Sequence, residues 1–129
     1  MMYNKNKGGI HMSIIWFNEK PKNGVATLTP GNITLNKPAT VFFEAAYNVM
    51  LGLNREKKQI VIKPLTKSEV QRGDISENSR YRITVRNSYS RISNKAFIEE
   101  VAQALNIDFE HEAKKYHTKW LADEKLLVI

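Results

Sequence analysis

His111 and His117 lie close in sequence to Glu110 and Glu112, and imidazole and carboxylate together could hold a metal ion or move a proton. Their spacing matches no zinc motif, in which ligand pairs recur at fixed short intervals, so no metal site is expected. The chain has no cysteine, which removes disulfides, zinc thiolates and thiol nucleophiles. Ser88, Ser90 and Ser93 lack the G-x-S-x-G setting of a nucleophile elbow. Gly8-Gly9 lacks the strand, helix and following Gly-Lys of a phosphate-binding loop. Glu99 and Glu100 fall opposite the apolar stripe of a helix, where a solvated face is a simpler account than acid–base work. No catalytic set emerges; neither enzyme activity nor a cofactor is expected.

The basic residues say more. The net charge is +7 over 129 residues, with a pI near 9.7, which suits a polyanionic partner. Arg80, Arg82, Arg86, Arg91 and Lys95 fall in one stretch with no acid, and Glu99, Glu100, Asp108, Glu110 and Glu112 in the next with no base. Tyr81–Val85 alternates, with Tyr81, Ile83 and Val85 on one face and Arg82, Thr84 and Arg86 on the other. That pattern predicts a strand with an arginine face able to meet phosphates. Lys37, Lys57 and Lys58 are further candidates in the first half.

These residues must be held by short elements. Ser13–Phe17, Gly24–Thr29, Asn32–Asn36, Tyr47–Leu53 and Gln59–Leu65 read as strands, with Pro30-Gly31 a turn. Asn36 and Asn94 each read as a helix N-cap, opening helices over about 38–46 and through Phe97, Ile98, Val101 and Leu105. Residues 66–80 read as a polar linker and residues 1–12 as a flexible arm. Lys115–Ile129 reads as a hairpin turning at Ala122–Lys125. A helix from Asp108, bearing Phe109, Ala113, Tyr116 and Trp120, is the rival reading.

Setting Asn36-Lys37 on Asn94-Lys95 brings out an internal repeat in which each half runs strand, turn, strand, Asn-Lys, helix, hairpin. The repeats span about 24–65 and 81–129, and residues 13–129 are expected to form one domain. Under this offset of 58, Ile33 and Leu35 fall on Arg91 and Ser93, out of phase unless a bulge shifts the strand by one.

The unit resembles the AbrB/MraZ-like swapped-hairpin family. Gly31–Lys37 (G-N-I-T-L-N-K) is similar to the family's G-R-I-x-I-P-K strand, with Asn32 for Arg and Asn36 for Pro. Ser90–Lys95 (S-R-I-S-N-K) follows it one residue short, and Ala104–Asp108 resembles the family's L-G-I segment. Gln59–Pro64 and Lys125–Ile129 resemble its closing strand, while the D-x-x-x-R signature of the MraZ branch is not evident. The resemblance implies a strand-rich α+β fold: a pseudo-twofold swapped-hairpin barrel with short helices. It also implies a DNA-binding transcriptional regulator or antitoxin-like protein, and the absence of cysteine fits the expected cytoplasmic setting.

The expected partner is therefore DNA, bound through Arg80, Arg82, Arg86, Arg91, Lys95, Lys37, Lys57 and Lys58. A protein–protein interaction or assembly module on the same fold, as a homo-oligomer or with another protein, is the second reading. No apolar run is long enough to span a membrane. A helix-turn-helix ending in F-E-H-E-A-K-K-Y is disfavoured, because its acidic start would face phosphates.

Overall fold

The computed structural model describes residues 13–17 and 22–129. The arm assigned to residues 1–12 lies outside the described residues. Nine strands and three helices are present among those described, and the chain is α+β and strand-rich. The strands are β1 (Val25–Thr29), β2 (Asn32–Asn36), β3 (Asn48–Asn54), β4 (Gln59–Leu65), β5 (Thr84–Val85), β6 (Tyr89–Ser93), β7 (Lys114–His117), β8 (Lys119–Leu121) and β9 (Leu126–Val128). The helices are α1 (Lys37–Thr40), α2 (Lys67–Gln71) and α3 (Lys95–Leu105). One antiparallel sheet runs β5-β6-β2-β1-β7 and the other β3-β4-β9-β8.

Both Asn-Lys junctions turn strand into helix as expected. Asn36 Oδ1 accepts from Ala39 N at 3.3 Å and Asn94 Oδ1 from Phe97 N at 2.9 Å, so each asparagine caps a free first-turn N–H. Asn36 Oδ1 also accepts from Val25 N at 2.9 Å, which ties the start of β1 to the end of β2. α1 tightens at once into a 3-10 turn over Val41–Phe43, while α3 runs on to Asn106 in the left-handed region.

The repeat is written in the pairing registers. Leu28 pairs with Ile33 and Thr27 with Thr34; adding 57 to each number gives Val85 with Ser90 and Thr84 with Arg91, which are also pairs. The central strands β2 and β6 pair antiparallel, and Thr34 faces its own equivalent, Arg91. The second hairpins repeat at an offset of 67: Gly52–Val61 and Leu53–Ile60 become Lys119–Val128 and Trp120–Leu127. Val61 pairs with its equivalent, Val128. Even the turns agree, since Lys58 (φ 54) and Lys125 (φ 55) are both left-handed.

The phase conflict in the sequence alignment is thereby explained. The offset is 57 through the strands and 58 at the caps, because Asn36 is both the last residue of β2 and a cap, whereas β6 ends at Ser93 before the cap Asn94. One extra residue, and no bulge in the pairing, keeps Ser90 and Ile92 buried.

Four expectations need correction. Ser13–Phe17 forms no strand. Residues 66–80 carry α2 and a 3-10 turn over Glu77–Ser79. Tyr81–Val85 is a strand only at Thr84–Val85, with Tyr81 making a lone bridge to Val49. The strands form two sheets and not one closed barrel among the described residues. The tail hairpin does form, as β8 and β9, and no helix runs from Asp108.

The sheets and helices share one core. Leu28, Ile33, Leu35 and Ile92 from the first sheet meet Ile60, Ile62 and Leu127 from the second, with Phe43, Ile98 and Val101. Each such burial contributes roughly 1.5–3 kcal/mol before chain entropy is charged. Among the described residues no helix is long and apolar enough to cross a membrane.

Candidate nucleic-acid interface

The first sheet buries one face and presents the other. Ala26, Leu28, Ile33, Leu35, Ser90 and Ile92 point into the core. Strand alternation sends their neighbours outward. Residues directly opposite one another share a face, so the registers give rows across the outer surface. One row reads Lys115, Thr27, Thr34, Arg91, Thr84. On one side of it lie His117, Val25, Asn36 and Tyr89, with Arg86 bonding Tyr89 O through its backbone N at 2.8 Å. On the other side lie Thr29, Asn32 and Ser93. No outward position in these rows is acidic.

The expected bases do not all reach this face. Arg86 and Arg91 do, at its β5–β6 edge, and both are exposed, while Arg82 is exposed in the stretch just before β5. The Arg91 guanidinium stands 5.9 Å from the centroid of Tyr89, which fixes it loosely over the sheet. Lys37 joins them: its Nζ donates to Asn87 O at 2.7 Å, in the turn after Arg86. Lys95 is exposed at the opposite end of the β2–β6 pair, where Asn94 N donates to Gly31 O at 3.0 Å. Lys57 and Lys58 sit on the β3–β4 turn, beyond the other edge of the sheet.

Arg80 stands apart. Its Nη1 donates to Asn48 Oδ1 at 3.0 Å, and Asn48 Nδ2 donates to Tyr81 O at 3.2 Å. This amide clamps the chain before β5 onto β3, beside the Val49–Tyr81 bridge. The Arg80 Nε is buried with no partner in the structure. Its side chain thus serves the junction between the sheets.

The structure adds bases that the sequence reading passed over. Lys115 and His117 point outward from β7, and Lys119 follows at the same spacing in β8. His117 and Lys119 line an open cleft of about 350 Å³ together with Lys57. The alternation in K-x-H-x-K was visible in the sequence, but its placement beside β1 depends on a pairing that no local signal announces. The sheet therefore carries bases at both edges and hydroxyl and amide side chains between them. At about 4.8 Å per strand, Lys115 and Arg91 stand three spacings, roughly 14 Å, apart.

Among the described residues no three His, Asp or Glu side chains gather where they could hold a metal ion. Glu69 is the one described group with a resolved pKa shift. It lies lower than usual, first because the Thr66 backbone N–H donates to its carboxylate, and it sits on α2, away from the basic face. Compared with known proteins, the chain matches no family model, no curated protein and no solved structure.

Proposed function

We propose that this chain binds duplex DNA through the outer face of the five-stranded sheet, as a transcriptional regulator or antitoxin-like protein. The observation that carries the reading is the acid-free face with bases at both edges. Lys115 and Arg91, roughly 14 Å apart, are comparable with a major groove about 12 Å wide, so these two bases can meet phosphates on its two sides. Threonine and asparagine between them can hydrogen-bond base edges or phosphates. Single strands are a poorer fit, because they are gripped by several stacking aromatics and this face offers only Tyr89.

The same reading takes the two-sheet fold as a swapped-hairpin arrangement of the AbrB/MraZ kind. Its support is the contact between units: Val49 of the first unit's second hairpin bridges Tyr81, just before the second unit's first strand. In the other direction Thr118, just before β8, donates to Gly24 O at 3.0 Å, just before β1. Each second hairpin thus borders the other unit's opening strand.

The test is binding to a random-sequence duplex as a function of salt. If Arg82, Arg86, Arg91, Lys37 and Lys115 each neutralise one phosphate, log K falls against log[salt] with a slope of about −4.5. Arg82→Ala/Arg86→Ala removes about 1.8 of that slope. Lys57→Ala/Lys58→Ala removes less, and Arg80→Ala leaves the slope intact while lowering stability. No binding at low salt, or a slope indifferent to the arginine pair, overturns the proposal. The interaction-module reading then stands alone, on the apolar groove described next.

A further inference from the structure

Among the described residues two apolar surfaces have no partner. The first is the segment before the fold. Ile15, Trp16 and Phe17 are consecutive and 82, 73 and 88% exposed. Large apolar side chains are ordinarily scattered singly on a surface, and three in a row mark a contact. The second is a groove of about 370 Å³ between the end of α1 and the β8–β9 hairpin. Its floor is Phe42 stacked on Trp120, with ring centroids 4.4 Å apart and planes 8° from parallel. Ala45, Ala46 and Pro64 line it, and Lys63 and Lys125 stand at its polar rim. Phe42 remains 38% exposed despite the stacking, and Val41 and Tyr47 beside it are exposed as well. Aromatic floor, small walls and a polar rim are the anatomy of a site that takes an aromatic anchor.

We infer that the occupant is a second copy of this chain, which lays its Ile14–Phe17 segment in the groove while its own groove receives the same segment in return. The inference is independent of nucleic-acid binding. Among the described residues of one chain the segment stands outside the groove, exposed, and both surfaces are left uncovered. The chain enters the fold next to the groove. A Cβ at Gly24 would touch Ala39 at 3.3 Å and collide with the Thr118 hydroxyl, and Phe42 and Trp120 lie a few residues on from those two. Arms leaving two molecules there can cross and return to the partner, and reciprocal exchange closes a dimer about a twofold axis with no open end to polymerise.

The area suffices. Trp16 and Phe17 from two arms are four aromatics at about 150–250 Å² each, roughly 600–1,000 Å² from the arm side alone. The exposed Val41 and Tyr47 beside the groove are covered with it, which brings the total to about 1,200 Å², the low end of a stable interface. Aromatic rings deliver this at small entropic cost, because each has only two side-chain torsions to fix.

Sedimentation velocity of the full chain over a wide concentration range tests the inference. Wild type is expected to move from monomer to dimer as concentration rises. Trp16→Ser/Phe17→Ser removes the arm's anchors, and Ala45→Arg fills the groove. Each replaced side chain is exposed, so the core is untouched. Each variant alone is expected to weaken the dimer by at least tenfold. Mixed together, they are expected to regain association, since the arm of the second fits the groove of the first. A monomer at every concentration overturns the inference, and so does a dimer that neither variant weakens. Concentration-independent burial of Trp16, read from its emission in a Trp120→Phe chain, also overturns it by assigning the groove to the chain's own arm.

Discussion

Among the described residues the core holds one polar cluster, and its energetics follow from counting protons. Thr40 and Ser90 are 2% and 0% exposed, and their hydroxyl oxygens are 2.8 Å apart. Thr40 Oγ1 donates its proton to Leu35 O at 3.1 Å, so the Ser90 hydroxyl must be the donor to Thr40. Leu35 and Ser90 are register partners on β2 and β6, so this relay fastens α1 across the seam between the two units. Thr40→Val keeps the shape but leaves the Ser90 hydroxyl buried without an acceptor, at a cost of about 1–3 kcal/mol, and strips a donor from Leu35 O besides. Ser90→Ala lets Thr40 keep its bond to Leu35 O and loses a single bond, about 0.5–1.5 kcal/mol. The double variant has no orphaned hydroxyl. It is therefore expected to cost less than the sum of the singles by about 1 kcal/mol or more. Urea unfolding of the four proteins with linear extrapolation measures this coupling. Additivity to within about 0.5 kcal/mol, or a Ser90→Ala cost equal to that of Thr40→Val, refutes the assigned direction of the relay.

Asn106 ends α3 at φ 57 and ψ 48, so Asn106→Gly is expected to stabilise by a few tenths of a kcal/mol and Asn106→Ala to cost about 1 kcal/mol by thermal or urea unfolding. Gly24→Ala is expected to cost about 1–3 kcal/mol by forcing the Thr118 side chain aside. Adding Thr118→Ala should recover part of it, and an unfolding midpoint insensitive to the second change counts against the clash. Glu69 and Thr66 form a capping box on α2, in which the Glu69 carboxylate accepts from Thr66 N at 2.9 Å and holds its pKa below the usual value. A depressed carboxylate stabilises above its unfolded pKa and loses that contribution as pH falls through its folded one. The amides of α2 are thus expected to lose exchange protection in acid before the core does, with Glu69→Gln removing the pH dependence.

Much of the fold was legible because local chemistry announced it. The two Asn-Lys junctions are caps whose geometry needs no distant partner, and Pro30-Gly31 and the alternating strands carry their own signals. What escaped was decided at a distance. Ser13–Phe17 has the composition of a strand but finds no edge to join. α2 has a readable capping box at Thr66–Glu69, yet none of its residues is buried, so no apolar stripe marks it. Arg80 and Arg82 are indistinguishable as text. The first is drawn to Asn48, 32 residues earlier, while the second stays exposed. Lys115 and His117 became part of that surface only when β7 paired with β1.

The repeat offers a control on the nucleic-acid reading that truncating variants cannot. At the offset of 57, Arg82, Arg86 and Arg91 correspond to Val25, Thr29 and Thr34, so these three arginines belong to one unit alone. If the face works by neutralising phosphates, placing arginine at the equivalent positions should extend it. Thr34 is unsuitable, because it pairs directly with Arg91 and two like charges facing across strands repel. Val25 and Thr29 face His117 and Asn32 respectively, and neither partner is a lysine or arginine. Val25→Arg/Thr29→Arg is therefore expected to leave the fold intact and to steepen the salt slope by about 1.8. A gain of affinity without a steeper slope would mean that the added arginines act through something other than released counterions. No gain at all would mean that the duplex does not lie across β1 and β2, and the contact would shrink to the β5–β6 edge.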